Sequence, residues 1–225
     1  MGRLAYKCIT GSRLYGTNDE NSDTDYRCIA FETPNELLGL TNVDTVQTIQ
    51  NGTDVITYPF RKFCHLLLEG NPNIVEMVFV PYNLVLYEHK YFSYLLKHKD
   101  YFISDNIRKK FYGFAISEMK QAEKEMSAGK TDAVLFKHLA HTVRLLHEGI
   151  ELLNTGKITF PIHSAETIKQ IRAGYYSGTD CLELVNSLIA ELNSTIGLLP
   201  ENPRKDKVEK LMVNVLRMTL NEDEE

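Results

Sequence analysis

Gly11-Ser12-Arg13-Leu14-Tyr15-Gly16-Thr17, followed after a polar turn by Ser22-Asp23-Thr24-Asp25-Tyr26-Arg27, is the stretch that decides how this chain reads. A Gly-Ser turn brings backbone close to a phosphate, because glycine has no Cβ and the N–H groups of a following helical turn stay free to donate. Asp23 and Asp25 stand at i, i+2, the spacing with which a strand projects two side chains from one face. A phosphate-compatible turn beside paired carboxylates points to metal-assisted nucleotide chemistry.

Working outward, Leu4 to Thr10 reads as a short buried strand running into Gly11, with Ser12 as the N-cap of a short helix. Thr24 to Phe31 reads as a second strand that carries Asp25. Thr45 to Gln50 and Thr53 to Tyr58 flank Asn51-Gly52, a dipeptide suited to a type I′ hairpin turn, so Asp54 falls near the start of a strand. Arg61 to Glu69 is expected to be helical, stopping at Gly70. Asn71-Pro72-Asn73 resets the chain before an apolar segment, Ile74 to Val80.

Beyond Pro81 the strand signals fade and helical periodicity takes over. Phe111, Ala115, Met119, Ala122 and Met126 mark one helix, and Leu135 to Leu153, closed by Gly156, a second. Leu182 to Ile196 gives a third and Val208 to Leu216 a fourth, with Asn221 to Glu225 a frayed acidic tail. The expected architecture is therefore α+β: a mixed sheet with flanking helices over residues 1–90, then an all-helical region over 91–225 that closes a cleft.

Composition bounds the function. With 225 residues, 43% hydrophobic and 24% charged, the chain can bury a core and is neither fibrous nor disordered. A net charge of −5 argues against general affinity for nucleic acid but leaves room for a local basic cleft. Cys8, Cys28, Cys64 and Cys181 are scattered, so free thiols in a reducing cytoplasm are expected. No stretch reaches the roughly 20 apolar residues of a membrane span.

Transfer of a nucleotidyl group needs charge stabilised on phosphate oxygens, commonly by two divalent ions about 3.5–4 Å apart. Such ions take hard oxygen ligands, so Asp23, Asp25 and Asp54 are the candidate metal-binding and catalytic residues, for Mg²⁺ or Mn²⁺. Lys137, His141, Arg144 and Glu148 recur on one face of the second long helix, either as a solvated polar face or as contacts to a triphosphate. Arg27 either touches the triphosphate or pairs with a neighbouring carboxylate. His138 and His141 stand at i, i+3, yet no carboxylate or cysteine beside them completes a set, so zinc is not expected. Tyr15 fits either a base-stacking role or the core. Tyr175-Tyr176-Ser177-Gly178 is a candidate acceptor-binding loop.

Gly11-Ser12, ten intervening residues, Asp23-x-Asp25 and a later acidic residue on a strand resemble the minimal pattern of the DNA polymerase β nucleotidyltransferase superfamily. More closely, these residues are similar to the YcgL-like predicted nucleotidyltransferases, the group that includes the RNA-repair-associated RlaP proteins. Tyr15-Gly16-Thr17, Lys62-Phe63, Asn71-Pro72-Asn73-x-x-Glu76 and Lys137-x-x-x-His141-x-x-Arg144-Leu145-x-x-Glu148-Gly149 share in the likeness, which runs from about Cys8 to Pro161. Cys28 stands where the pattern has glycine. The resemblance implies Asp23 and Asp25 as metal ligands, Asp54 as third carboxylate, and Gly11 and Ser12 as contacts to the triphosphate donor, ATP among the candidates; Arg27, Lys137, His141 and Arg144 stay open between further contacts to that donor and the structural readings given above. The acceptor is open: an RNA end, a protein or a small molecule presents the same hydroxyl. The rival readings are a catalytically silent nucleotide sensor and a regulatory interaction protein on the same fold.

Overall fold

The structure, a computed structural model, describes residues 2–40, 42–50, 53–129 and 132–223. Two compact units emerge: one of Met1–Glu69, Asn73–Ile103 and Pro203–Glu225, the other of Gly70–Pro72 and Ser104–Asn202. Where composition suggests one boundary near residue 90, the units follow packing: the chain up to Ile103 and the final helix go with the sheet.

The first unit is built on a five-stranded mixed sheet in the order β3-β4-β2-β1-β5, with β1 Leu4–Thr10, β2 Asp25–Ala30, β3 Val46–Gln50, β4 Thr53–Pro59 and β5 Val85–Glu88. β1 pairs antiparallel with β2 and β5, β3 with β4, and β2 runs parallel to β4. The β3–β4 hairpin forms in the expected register, Gln50 opposite Thr53, while Asn51-Gly52 itself lies outside the described residues. β5 is a strand that sequence periodicity misses, being four residues long with its last three exposed.

Alternation assigns the faces. Tyr6, Cys8 and Thr10 share one face with Ile29, Arg27 and Asp25, their register partners. That face takes the apolar sides of α3 Phe60–Leu68 and α5 Lys90–Leu96: the Phe92 ring lies 4.8 Å from Tyr6 and 5.5 Å from Phe63. The opposite face carries Lys7, whose ammonium sits 4.7 Å from the centre of the Tyr26 ring.

Between these elements lie α1 Ser12–Tyr15, α2 Pro34–Leu38 and α4 Pro72–Val75, the last continuing into a 3₁₀ turn at Glu76–Val78. The apolar segment from Ile74 is thus helical turn as far as Val78, as Pro72 at a helix start favours. Thr33 caps α2 in a reciprocal bond pair with Glu36.

The second unit holds α6 Asn106–Ser127, α7 Asp132–Thr155, α8 Ala165–Arg172 and α9 Gly178–Ser194. Gly149 on α7 sits where α6 and α9 crowd in: a Cβ there would stand 3.0 Å from Phe111 Cβ and 3.2 Å from Leu192 Cδ1. On the polar face of α7, Arg144 and Glu148 are buried, at 6% and 1% exposed, whereas Lys137 and His141 remain open to solvent. Ser177 is spent on structure, capping α9 in a reciprocal pair with Asp180.

The last helix, α10 Lys205–Asp223, belongs to the first unit and packs against α5 and α3 through buried Val208, Leu211 and Val215. Helix therefore replaces the expected acidic fray as far as Asp223. The reason is Glu222, which takes Arg3 Nη1 at 2.8 Å, the Tyr91 hydroxyl at 3.0 Å and the Lys90 ammonium. All four cysteines are buried free thiols. No described helix is long and apolar enough to cross a membrane.

Candidate active site

β1 ends at Thr10, and Gly11 turns the chain with φ 66° and ψ −149°, a conformation that essentially only glycine adopts. The turn is tight for a second reason: a Cβ on Gly11 would fall within contact distance of Asp25 Oδ2. Leu14 N and Tyr15 N donate to Gly11 O at 3.0 and 3.1 Å, which winds α1 into a single helical turn. Gly11 is itself the N-cap and Ser12 the first helical residue, so the expected Ser12 side-chain cap is absent and its hydroxyl is left to other partners. Gly16, at φ 75°, ends the turn.

α1 in turn shapes the loop that follows. Arg13 Nη2 donates to Ser22 O at 2.9 Å, while Ser22 Oγ and Asp19 Oδ1 close a small ring at 2.9 Å. Asp23 emerges from this loop, exposed and ahead of the strand. β2 begins only at Asp25, so the two carboxylates do not share a strand face as their spacing suggests. The loop bonds of Asp19 and Ser22 compete with strand pairing for the residues before Asp25.

Asp25 and Asp54 are direct register partners on adjacent parallel strands. Parallel partners project from the same face, so the third carboxylate stands beside the second. Asp25 is half-buried, and its carboxyl titrates above the ordinary aspartate range, first because of burial, then because of the Asp54 and Asp23 charges; Arg27 opposes the rise. Gln47 Nε2 donates to Asp54 Oδ1 at 2.9 Å. The hairpin register contains that contact, because Gln47 is the diagonal neighbour of Asp54.

Arg27 does not turn to the carboxylates alone. Its Nη1 donates to Asn73 O at 2.6 Å and its Nη2 to Asn73 Oδ1 at 3.5 Å. Sequence reading gives neither this pairing nor the bond from the Tyr15 hydroxyl to Glu76 Oε2 at 2.7 Å, 61 residues away. The only signal for either is that Tyr15, Asn73 and Glu76 recur in the motif set quoted above.

On α7, Lys137 is exposed and His141 has 43% of its side chain exposed. Crowding around the ring, then the Arg144 charge, holds His141 down at about 4. Arg144 Nη1 reaches both oxygens of Glu148, at 3.0 and 2.9 Å. Carboxylates do stand beside His138, from α6: Glu118 at 2.7 Å from Nδ1 and Glu125 at 3.4 Å from Nε2.

A family model described as RlaP, RNA repair pathway DNA polymerase beta family, matches residues 2–212. The chain belongs to that family. Among solved structures it is similar to the crystal structure of a nucleotidyltransferase-like protein from Exiguobacterium sibiricum 255-15. The identity is 12%, covering 85% of this chain and 68% of that one, with a loose TM-score of 0.33. No curated protein matches. By that family match the chain is of the DNA polymerase beta family kind, and its mixed sheet with flanking helices is of the expected α+β class.

The family implies a divalent cation, and the donor chemistry suits one: hard carboxylate oxygens, with Asp25 raised first by burial and then by the neighbouring Asp54 and Asp23 charges. As the side chains lie, no group of three or more His, Cys, Asp or Glu among the described residues is gathered to hold a metal ion. Asp23 lies exposed in its loop, outside the strand pair that carries Asp25 and Asp54.

Proposed function

We propose that this RlaP-family chain is a metal-dependent nucleotidyltransferase, moving a nucleoside monophosphate from a triphosphate to a hydroxyl acceptor with release of pyrophosphate. The observation that carries the reading is the Asp25–Asp54 register pair standing against the Gly11 turn. Asp25 and Asp54 hold Mg²⁺ or Mn²⁺, with Asp23 drawn in from its loop. When bound, the cation offsets charge that builds on the phosphate oxygens.

The chain's own groups do the rest. The backbone N–H groups of Ser12 and Arg13 and the Ser12 hydroxyl face the triphosphate, because Gly11 lets the backbone approach. Asp54, next to the acceptor side, orients the attacking hydroxyl or takes its proton. Gln47, bonded to one Asp54 oxygen, keeps that carboxylate turned. A short RNA with a free 3′ hydroxyl, a protein and a small alcohol are all acceptors of this class.

The test is incubation of the purified chain with each of four α-labelled triphosphates, Mg²⁺ or Mn²⁺, and those three acceptor classes. Labelled acceptor and free pyrophosphate are expected for at least one combination. Asp25→Asn is expected to lower transfer by more than the roughly 10- to 100-fold that loss of an outer-shell metal partner costs. Its melting temperature should not fall, because the charge removed is one that burial and two neighbouring carboxylates disfavour. Tight triphosphate binding with no label on any acceptor makes the chain a nucleotide sensor instead.

A further inference from the structure

We infer that Glu76 is a positioning residue: through Tyr15 it holds α1 at a fixed place against β2, and so sets how the donors after Gly11 meet a triphosphate. The inference rests on the nucleotidyl-transfer reading above.

α1 has only four residues and a positive-φ glycine at each end. One helical turn has almost no stability of its own, so its position is decided by what its side chains grip. Leu14 is fully buried and Tyr15 8% exposed. Of the two, Tyr15 makes the directional contact, its hydroxyl donating to Glu76 Oε2 at 2.7 Å.

Glu76 is 0% exposed. An enclosed carboxylate is costly, and a leucine or methionine fills such space at lower cost. What the carboxylate adds is a short charge-assisted bond that fixes distance and angle.

The segment that carries Glu76 is tied to the other site elements as well. Asn73 accepts from Arg27 on β2, and Met77 O accepts from the Tyr6 hydroxyl on β1 at 3.4 Å. Residues 73–77 therefore grip β1, α1 and β2, the three elements that meet at the Gly11–Asp25 corner. Gly11 leaves no spare room beside Asp25, so any slip of α1 changes the distance between the backbone donors and the carboxylates.

The experiment measures equilibrium binding of labelled nucleoside triphosphates in Mg²⁺, and of Mn²⁺ alone by electron paramagnetic resonance, on the full chain. Tyr15→Phe is expected to weaken triphosphate binding about tenfold, the size of one lost bond to a charged group, while Mn²⁺ affinity stays within about twofold. Glu76→Gln keeps an oxygen that accepts from Tyr15, so it should stay within about threefold of the parent. The double variant should add little to Tyr15→Phe. Where Tyr15→Phe alone fails to fold, the double variant takes its place with the same tenfold expectation.

Unchanged triphosphate affinity in Tyr15→Phe overturns the inference. So does a loss shared equally by Mn²⁺ affinity and folded fraction, which is a purely structural effect. A parent chain that binds no triphosphate brings down the nucleotidyl-transfer reading itself, and that is seen before any variant is compared.

Discussion

Gly11 is the residue where conformation and chemistry meet. Its φ of 66° and ψ of −149° exclude an ordinary side chain, and the Asp25 carboxylate occupies the space where a Cβ would go. Gly11→Ala should therefore cost about 1–3 kcal/mol from the backbone alone, with a further loss as Asp25 is pushed aside. Chemical denaturation measures the first, and triphosphate binding in Mg²⁺ the second; an alanine variant with parental stability contradicts the strain. The turn at Gly11 and the strand that carries Asp25 were legible from the sequence. That Asp23 sits in a loop was not, because the spacing rule assumes a strand and local Asp19–Ser22 bonds decide otherwise. Arg144 shows the same limit. Helical spacing left Arg144 and Glu148 open between a solvated face and triphosphate contacts, yet both are buried and paired with each other, a fact fixed by what packs around α7.

Among the elements, α10 carries the clearest pH signature. Glu222 accepts from Tyr91 and pairs with Lys90 and Arg3, and the Lys90 contact leads in holding its carboxyl at about 2 instead of the ordinary 4.5. A carboxylate with a depressed folded pKa stabilises the fold above its unfolded value and loses that stabilisation as pH falls through its folded one. The expected outcome is a melting temperature that drops between pH 4.5 and 2 more steeply in the parent than in Glu222→Gln. Parallel curves would remove Glu222 from the account. The long helices and four of the five strands were readable from periodicity and turn chemistry. β5 was not, because four residues at a sheet edge leave too little alternation to detect. α5 escaped too, because Phe92 and Leu95 alone make its buried face and a seven-residue helix repeats it hardly once.

On the scale of the whole molecule, α10, Lys205–Asp223, belongs to the first unit. Val208, Leu211 and Val215 bury their side chains in it. At about 1.5–3 kcal/mol for each buried apolar side chain, these three approach the roughly 5–15 kcal/mol that holds a typical domain folded. A chain ending at Pro203 should accordingly lose amide-exchange protection in β1, β2 and β4, whereas protection of those strands at the parental level would show α10 to be dispensable. By itself the sequence determined the α+β class, the Gly11 turn, the candidate carboxylates and most helices. These depend on neighbours a few residues apart, through turn chemistry, alternation and helical periodicity. Only the tertiary structure decided that Asp25 and Asp54 stand side by side on parallel strands, that Tyr15 reaches Glu76, that Arg144 is enclosed and that α10 returns to the sheet. Each joins residues through packing and register across long separations, which local patterns do not encode.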